Sequence, residues 1–156
     1  MTTAPLLPGS PAPAFTLPGA DGAPISLSDF AGKRLVLYFY PKDDTPGCTL
    51  EAQDFSRLAG DFAAAGAAVL GVSRDSVKSH GKFCAKHGLT IALGADEDGA
   101  VTEAYGVWVE KKMYGKTSMG IERATFLIGP DGVIEQVWRK VSAKGHAEAV
   151  LQTLRS

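Results

Sequence analysis

The chain has 156 residues, of which 45 % are hydrophobic and 21 % charged, and its formal net charge is −1. This length predicts one domain, spanning residues 1–156, with enough chain to bury a sizeable core. The near-neutral charge argues against nucleic-acid binding, and no apolar run is long enough for a membrane span. Because the first 13 residues lack the regions of a secretory signal and the chain has only two cysteines, we expect a reducing compartment, the cytoplasm.

The predicted elements begin with a loosely held arm over residues 1–13 and a small hairpin over residues 15–27. A short helical turn follows, begun by Ser28 and Asp29 and ended by Gly32. The later elements are a strand at 34–40, a helix at 48–65, a strand at 67–72, a helix at 76–87, a strand at 90–93, a short helix at 99–105, strands at 124–128 and 133–139, and a helix at 145–155. Residues 108–116 break the periodicity and predict an exposed loop. This order predicts an α/β three-layer sandwich with a central mixed sheet.

One of the two cysteines stands where the strand at 34–40 gives way to a helix. Pro41 ends the strand because it has no N–H group for a sheet ladder, and Pro46 and Gly47 form the turn that follows. A thiol in the first turn of a helix meets unpaired N–H groups and the positive end of the helix dipole. Both favour the thiolate, so Cys48 is predicted to be a nucleophile, although its position alone is equally compatible with a small residue packed in the core.

The residues around Cys48 match Pro-x-x-x-Thr-x-x-Cys and resemble the active-site signature of the peroxiredoxins. The longer run from Thr45 to Glu51 resembles the branch called bacterioferritin comigratory protein, or peroxiredoxin Q. The resemblance continues through residues 121–128 and covers most of the chain. It implies a thioredoxin-like fold with an N-terminal hairpin extension, and a thiol-dependent peroxidase without a bound cofactor or metal.

The resemblance also implies roles for two charged residues. Arg123 lies in the matching segment 121–128, and its guanidinium would favour the Cys48 thiolate and offer paired donors to peroxide oxygens. Without the resemblance, Arg123 would be read as a surface charge. Glu51 would orient an arginine, or it would be a surface acid favoured by the helix dipole.

Three further residues complete the implied peroxide pocket. The hydroxyl of Thr45 would accept a hydrogen bond from peroxide or donate one to the sulfur. The N–H groups of Gly47 and Cys48 would stabilise the departing oxyanion. Pro41 would shield the sulfur from water and from over-oxidation.

The second cysteine, Cys84, is the candidate resolving residue. Many members of the branch carry that cysteine five residues after the first, where this chain has Gln53. Another subgroup places it on the following helix, and Cys84 fits that pattern. The resemblance therefore implies an intramolecular disulfide between Cys48 and Cys84, whereas the residues alone leave open a buried structural thiol beside Phe83.

Other readings of the same residues stay open at this point. His80, Cys84 and His87 share one helical face, and with Cys48 they would make four metal ligands, but their spacing matches no known metal motif. A peroxide sensor without turnover would use the same thiol as far as the sulfenic acid. A disulfide reductase is disfavoured because the chain lacks Cys-x-x-Cys.

The resemblance also implies the substrates and the reductant. Hydrogen peroxide and alkyl hydroperoxides would be the substrates, and thioredoxin, or glutaredoxin in its place, would be the reductant. The protein is expected to be a monomer.

Overall fold

The computed structural model describes residues 6–155, and its central feature is a five-stranded mixed sheet. The strands are β1 (Thr16–Pro18), β2 (Pro24–Ser26), β3 (Arg34–Phe39), β4 (Ala67–Ser73), β5 (Ala92–Ala95), β6 (Trp108–Met113), β7 (Lys116–Ile121), β8 (Ala124–Ile128) and β9 (Ile134–Trp138). The helices are α1 (Pro46–Arg57), α2 (Ala59–Ala64), α3 (Val77–His87), α4 (Ala100–Ala104) and α5 (His146–Arg155). The order across the sheet is β5-β4-β3-β8-β9.

The central strand β3 explains why the sheet is mixed and buried on both faces. It pairs parallel with β4 and antiparallel with β8. Its alternate side chains enter two separate apolar clusters, because successive residues of a strand point to opposite faces. Val36 and Tyr38 pack under α1, α2, α3 and α5, whereas Leu35 and Leu37 pack with β1 and α4. Three layers result, because α1, α2, α3 and α5 cover one face of the sheet while α4 and the N-terminal hairpin cover the other.

This architecture confirms the predicted thioredoxin-like α/β sandwich with an N-terminal hairpin, formed by β1 and β2. Antiparallel pairing places Phe39, the last residue of β3, beside Ala124, the first of β8. The segment that follows β3 therefore lies next to the segment that precedes β8. This register positions the candidate site.

The predicted exposed loop at 108–116 is wrong. Residues Trp108–Met113 and Lys116–Ile121 form the antiparallel hairpin β6–β7, which turns at Tyr114 and Gly115. Both turn residues have positive φ values, 53° and 77°, as a tight hairpin turn requires. Because most of β7 is exposed and polar, its sequence lacks the apolar alternation of a half-buried strand.

Three other boundaries differ from the prediction. The helix predicted at 48–65 begins two residues earlier, at Pro46, and is interrupted at Leu58, whose ψ of 3° separates α1 from α2. The first short helical turn spans Leu27–Phe30 and is capped by Ser26, whose N–H donates to the Asp29 carboxylate. The strand predicted at 90–93 lies at Ala92–Ala95.

The structure describes only residues 6–13 of the predicted N-terminal arm, since residues 1–5 lie outside the described part. Residues 6–13 are not loose, because their backbone pairs with the start of β9. The Gly9 N–H donates to the Ile134 carbonyl at 2.8 Å, and the Ile134 N–H donates to the Ser10 carbonyl at 2.9 Å. Within residues 6–155, no helix is both long and apolar enough to cross a membrane.

Candidate active site

The site is built at the carboxyl end of β3, where the chain turns into α1. Thr45 is the N-cap residue of α1 and Pro46 its first residue, so Cys48 occupies the third helical position. Proline suits this start because its missing N–H has no helical acceptor to bond. The N–H groups of Gly47 and Cys48 lie in the first turn, where no helical carbonyl is available to them. Cys48 is only 1 % exposed, so its sulfur faces a closed site.

Arg123 contacts the Cys48 sulfur directly. Its Nη2 lies 3.3 Å from Sγ, and the register of β3 with β8 brings the arginine to this point. Gly47 leaves room for it, because a Cβ atom at that position would stand 3.2 Å from Nη2. The arrangement places a fixed positive charge against the sulfur, which stabilises a thiolate.

Glu51 holds the other side of the same guanidinium. Arg123 Nη1 donates to Glu51 Oε1 at 2.6 Å, and the carboxyl is fully buried one helical turn after Cys48. Burial raises the pKa of Glu51 to about 7, although the Arg123 charge acts in the opposite direction. The second oxygen, Oε2, is buried and has no hydrogen-bond partner among residues 6–155. Glu51 is therefore placed to orient Arg123 rather than to lie on the surface.

Thr45 and Pro41 lie in the loop between β3 and α1, and both are half-buried. The Thr45 hydroxyl donates to the Lys42 carbonyl at 2.9 Å. Its proton is thus already used, so of the two roles considered for this hydroxyl the geometry favours accepting a hydrogen bond. Pro41 lies two residues after Phe39, the last residue of β3, so it stands just beyond the strand that it was expected to end.

Cys84 lies on α3 and is half-buried, and both cysteines are free thiols. Burial, assisted by the negative charge of Asp43, raises the pKa of the Cys84 thiol. The surroundings of Cys84 in the folded helix therefore favour the thiol over the more reactive thiolate.

The metal reading finds no support in the geometry. Both ring nitrogens of His80 are bonded, Nδ1 to Asp43 Oδ2 at 2.7 Å and Nε2 to the Gly94 carbonyl at 2.9 Å. The Nε2 atom of His87 is bonded to Asp44 at 2.8 Å. Within residues 6–155 there is no group of three or more His, Cys, Asp or Glu side chains suited to a metal ion.

Two further polar contacts next to the site have no signal in the sequence. Asp43 and His80 form a buried pair that joins the loop before α1 to α3. Lys111, on β6, lies near enough for its charge to interact with those of Arg123 and Cys48, and burial lowers its pKa. Nothing local identifies either contact, because the partners are not neighbours in the sequence and the sequence predicts a loop around Lys111.

A buried thiol at the start of a helix, hydrogen-bonded to an arginine that directly precedes a strand of a thioredoxin-like sheet, defines a thiol-based redox enzyme. The model of the AhpC/TSA family matches residues 8–137. The chain is 53 % identical to the protein named peroxiredoxin Bcp of Xanthomonas campestris, across 94 % of this chain and 92 % of that protein.

Two solved structures are similar over nearly their whole length. A peroxiredoxin Q mutant of Xylella fastidiosa has a TM-score of 0.93 at 44 % identity, covering 98 % of each chain. The bacterioferritin comigratory protein of Xanthomonas campestris has a TM-score of 0.88 at 49 % identity, covering 99 % of this chain and 98 % of that one. The chain belongs to the AhpC/TSA family, among the peroxiredoxins called Bcp or peroxiredoxin Q, and it is a thiol peroxidase.

Proposed function

We propose that Cys48 is the thiol with which this peroxidase reduces hydrogen peroxide and small organic hydroperoxides, and that Cys84 resolves the product. The observation that carries the proposal is the 3.3 Å contact between Arg123 Nη2 and Cys48 Sγ, backed by the buried Glu51. A guanidinium fixed at this distance stabilises the thiolate before the reaction. It also presents N–H donors to a peroxide that reaches the sulfur.

In the first step the Cys48 thiolate attacks the terminal oxygen of the peroxide. An S–O bond forms and the O–O bond breaks, so the sulfur is oxidised to a sulfenic acid and the peroxide is reduced to water or an alcohol. Arg123 and the N–H groups of the first turn of α1 stabilise the departing oxyanion, which takes its proton from water, and the Thr45 hydroxyl accepts a hydrogen bond from the peroxide. The thiolate supplies both electrons, so no bound cofactor takes part. Pro41 limits the access of water.

In the second step the Cys84 thiolate attacks the sulfenic sulfur. The S–O bond breaks, hydroxide leaves, and a Cys48–Cys84 disulfide forms within one chain. A dithiol protein then reduces the disulfide by exchange, and we propose thioredoxin for this role, with glutaredoxin as the other candidate. The proposal of organic hydroperoxides is supported by the relative from Xanthomonas campestris, whose structural study concerns alkyl peroxide reduction activity.

Mass spectrometry of the peroxide-treated protein tests the pairing. One equivalent of peroxide is expected to produce a single intramolecular peptide cross-link between Cys48 and Cys84, with the loss of two hydrogens. Steady-state peroxide consumption with thioredoxin, thioredoxin reductase and NADPH tests turnover. A sulfenic acid that persists in the wild type without a cross-link would contradict the role of Cys84, and cross-linking without turnover would contradict the reductant.

We further propose that the chain acts as a single-domain monomer in the cytoplasm. The support is that both thiols lie in one chain and that β3 contributes to both apolar clusters. Sedimentation velocity of the reduced and oxidised protein tests the monomer, and cell fractionation tests the compartment.

A further inference from the structure

Two adjacent aspartates join the active-site loop to the helix that carries Cys84. The loop is residues 40–45, which lie between β3 and α1 and include Pro41 and Thr45. Asp43 contacts the first half of α3 and Asp44 contacts its last turn. Together these contacts cover both ends of the helix.

Asp43 makes the buried half of the connection. Its carboxylate accepts from the Tyr40 hydroxyl at 2.5 Å, the Ser79 hydroxyl at 2.8 Å and His80 Nδ1 at 2.7 Å. His80 is fully buried, and its other nitrogen faces the Gly94 carbonyl, so both ring nitrogens face acceptors. Burial opposes the charge on Asp43, but the hydrogen bonds from His80 and Tyr40 prevail and lower its pKa.

Asp44 makes the exposed half of the connection. Its carboxylate oxygens accept from Lys86 Nζ at 2.7 Å and His87 Nε2 at 2.8 Å, and these hydrogen bonds lower its pKa. Its backbone has a φ of 60°, a left-handed conformation that aspartate and asparagine tolerate better than most residues. With the backbone in this conformation, the Asp44 carboxylate points toward the last turn of α3.

The helix itself needs this support. It has 11 residues, below the length at which an isolated helix is stable in water, and Gly81 lies in its interior. Its Ser76 cap and the left-handed Gly88 fix its two ends. A disulfide with Cys48 requires α-carbon atoms within about 7 Å, and both cysteines are free thiols while α3 is folded.

We propose that Asp43 and Asp44 are positioning residues for the resolving step, forming a latch with Ser79, His80, Lys86 and His87 that keeps α3 folded and restrains Cys84. The proposal rests on the function proposed above, in which Cys84 attacks the Cys48 sulfenic acid. A closed latch delays that attack, so it lengthens the time in which a second peroxide can oxidise Cys48 to sulfinic acid. Opening the latch frees Cys84 and also removes it from the negative charge of Asp43, so the thiolate becomes accessible.

The Asp44→Asn variant tests the exposed half of the latch. Asparagine keeps the left-handed backbone but removes the charge. The expected result is that the peroxide concentration needed to convert half of Cys48 to sulfinic acid rises about two- to fivefold, the range expected from weakening exposed ion pairs. Amide exchange of residues 77–87 in the reduced protein is expected to rise by a similar factor, without a change elsewhere. A general loss of stability would instead increase exchange throughout the chain.

The matched control is Asp61→Asn, which weakens an exposed ion pair with Arg155 at 3.3 Å, away from α3. It is expected to leave both measurements unchanged. Asp43→Asn is expected to move both in the same direction as Asp44→Asn and further, because the hydrogen bonds of Asp43 to Tyr40 and His80 are buried. Near-ultraviolet circular dichroism first establishes that this variant folds. If Asp43→Asn does not fold, the test is decided on Asp44→Asn alone.

The outcomes separate the latch from the function on which it rests. An unchanged or lowered peroxide threshold in Asp44→Asn, with the Cys48–Cys84 disulfide still formed in the wild type, overturns the latch alone. A wild type that forms no such disulfide overturns the proposed function, and the latch with it. A raised threshold in both Asp44→Asn and Asp61→Asn also overturns the latch, because the effect would then follow from any lost surface charge.

Discussion

Replacing Arg123 by methionine should slow peroxide reduction without removing the thiol. Methionine keeps much of the apolar stem but loses the Nη2 donor at 3.3 Å from the Cys48 sulfur and the Nη1 donor at 2.6 Å from Glu51. Losing one donor aimed at developing negative charge typically lowers a rate by about 10²–10³. The rate constant for the first step should fall by that factor.

The same substitution leaves Glu51 buried and unpaired, so it also lowers the free energy of unfolding. Removing one partner of a buried ion pair typically costs about 3–5 kcal/mol. Glu51 already has a pKa of about 7 and can take up a proton, so we expect the loss to lie at the lower end of this range. A double variant, Arg123→Met with Glu51→Gln, removes the unpaired charge and should recover part of the stability while the rate stays low.

Stopped-flow kinetics with hydrogen peroxide measures the first step, and urea unfolding at pH 7 measures stability. The single and double variants are compared under the same conditions. If the rate recovers together with the stability in the double variant, Arg123 acts only by supporting the fold. The reasoning from its contact with the sulfur would then be refuted.

The remaining predictions concern the two thiols, the helix and the response to pH. Cys48→Ser should abolish turnover with the fold intact, because a serine hydroxyl is a far weaker nucleophile; comparable turnover would contradict the mechanism. Cys84→Ser should still reduce one equivalent of peroxide but accumulate sulfenic and then sulfinic acid, as read by mass spectrometry; rapid recycling would show that Cys84 does not resolve. Amide exchange of residues 77–87 should rise in the disulfide form, and equal protection in both forms would contradict local unfolding. Burial raises the pKa of Glu51 from 4.5 to about 7, so the stability that protonated Glu51 contributes is lost as pH rises from 4.5 to about 7. Burial lowers the pKa of His146 from 6.5 to about 4, so the stability that neutral His146 contributes is lost as pH falls from 6.5 to about 4. The unfolding free energy of Glu51→Gln should therefore rise with pH between about 4.5 and 6.5 more steeply than that of the wild type, and an equal slope would contradict this.

The junction between β3 and α1 was predictable because its signals are local. A continuous apolar strand, the strand-ending Pro41 and the Pro46–Gly47 turn all lie within a few residues of Cys48. Fixed backbone preferences of proline and glycine decide such a junction before any tertiary contact forms. Arg123, by contrast, could be linked to Cys48 only through the family resemblance, because the contact joins residues 75 apart in the chain.

The hairpin β6–β7 could not be predicted from local sequence patterns. Its pairing gives it 6 residues in each strand, yet it lies outside the central sheet and its turn is Tyr114–Gly115 rather than the Asn-Gly or Asp-Gly that favours such turns. Nothing in the sequence distinguishes an exposed polar strand from a loop when its partner is another exposed polar strand. The consequence reaches the site, because this hairpin carries Lys111 and leads directly into the segment that holds Arg123.

The helix α3 shows how a locally weak element acquires a defined position. Ser79 and His80 are poor helix formers, and by propensity alone they mark this helix as marginal. In the structure the same two side chains supply the hydrogen bonds to Asp43, 36 and 37 residues away. The helix is therefore ordered both by the packing of Phe83 in the core and by contacts with the loop that is proposed to form the peroxide pocket. We expect a change that opens this loop to weaken α3, and unfolding of α3 to loosen the proposed pocket, so peroxide reduction and resolution are expected to exclude one another in the same molecule.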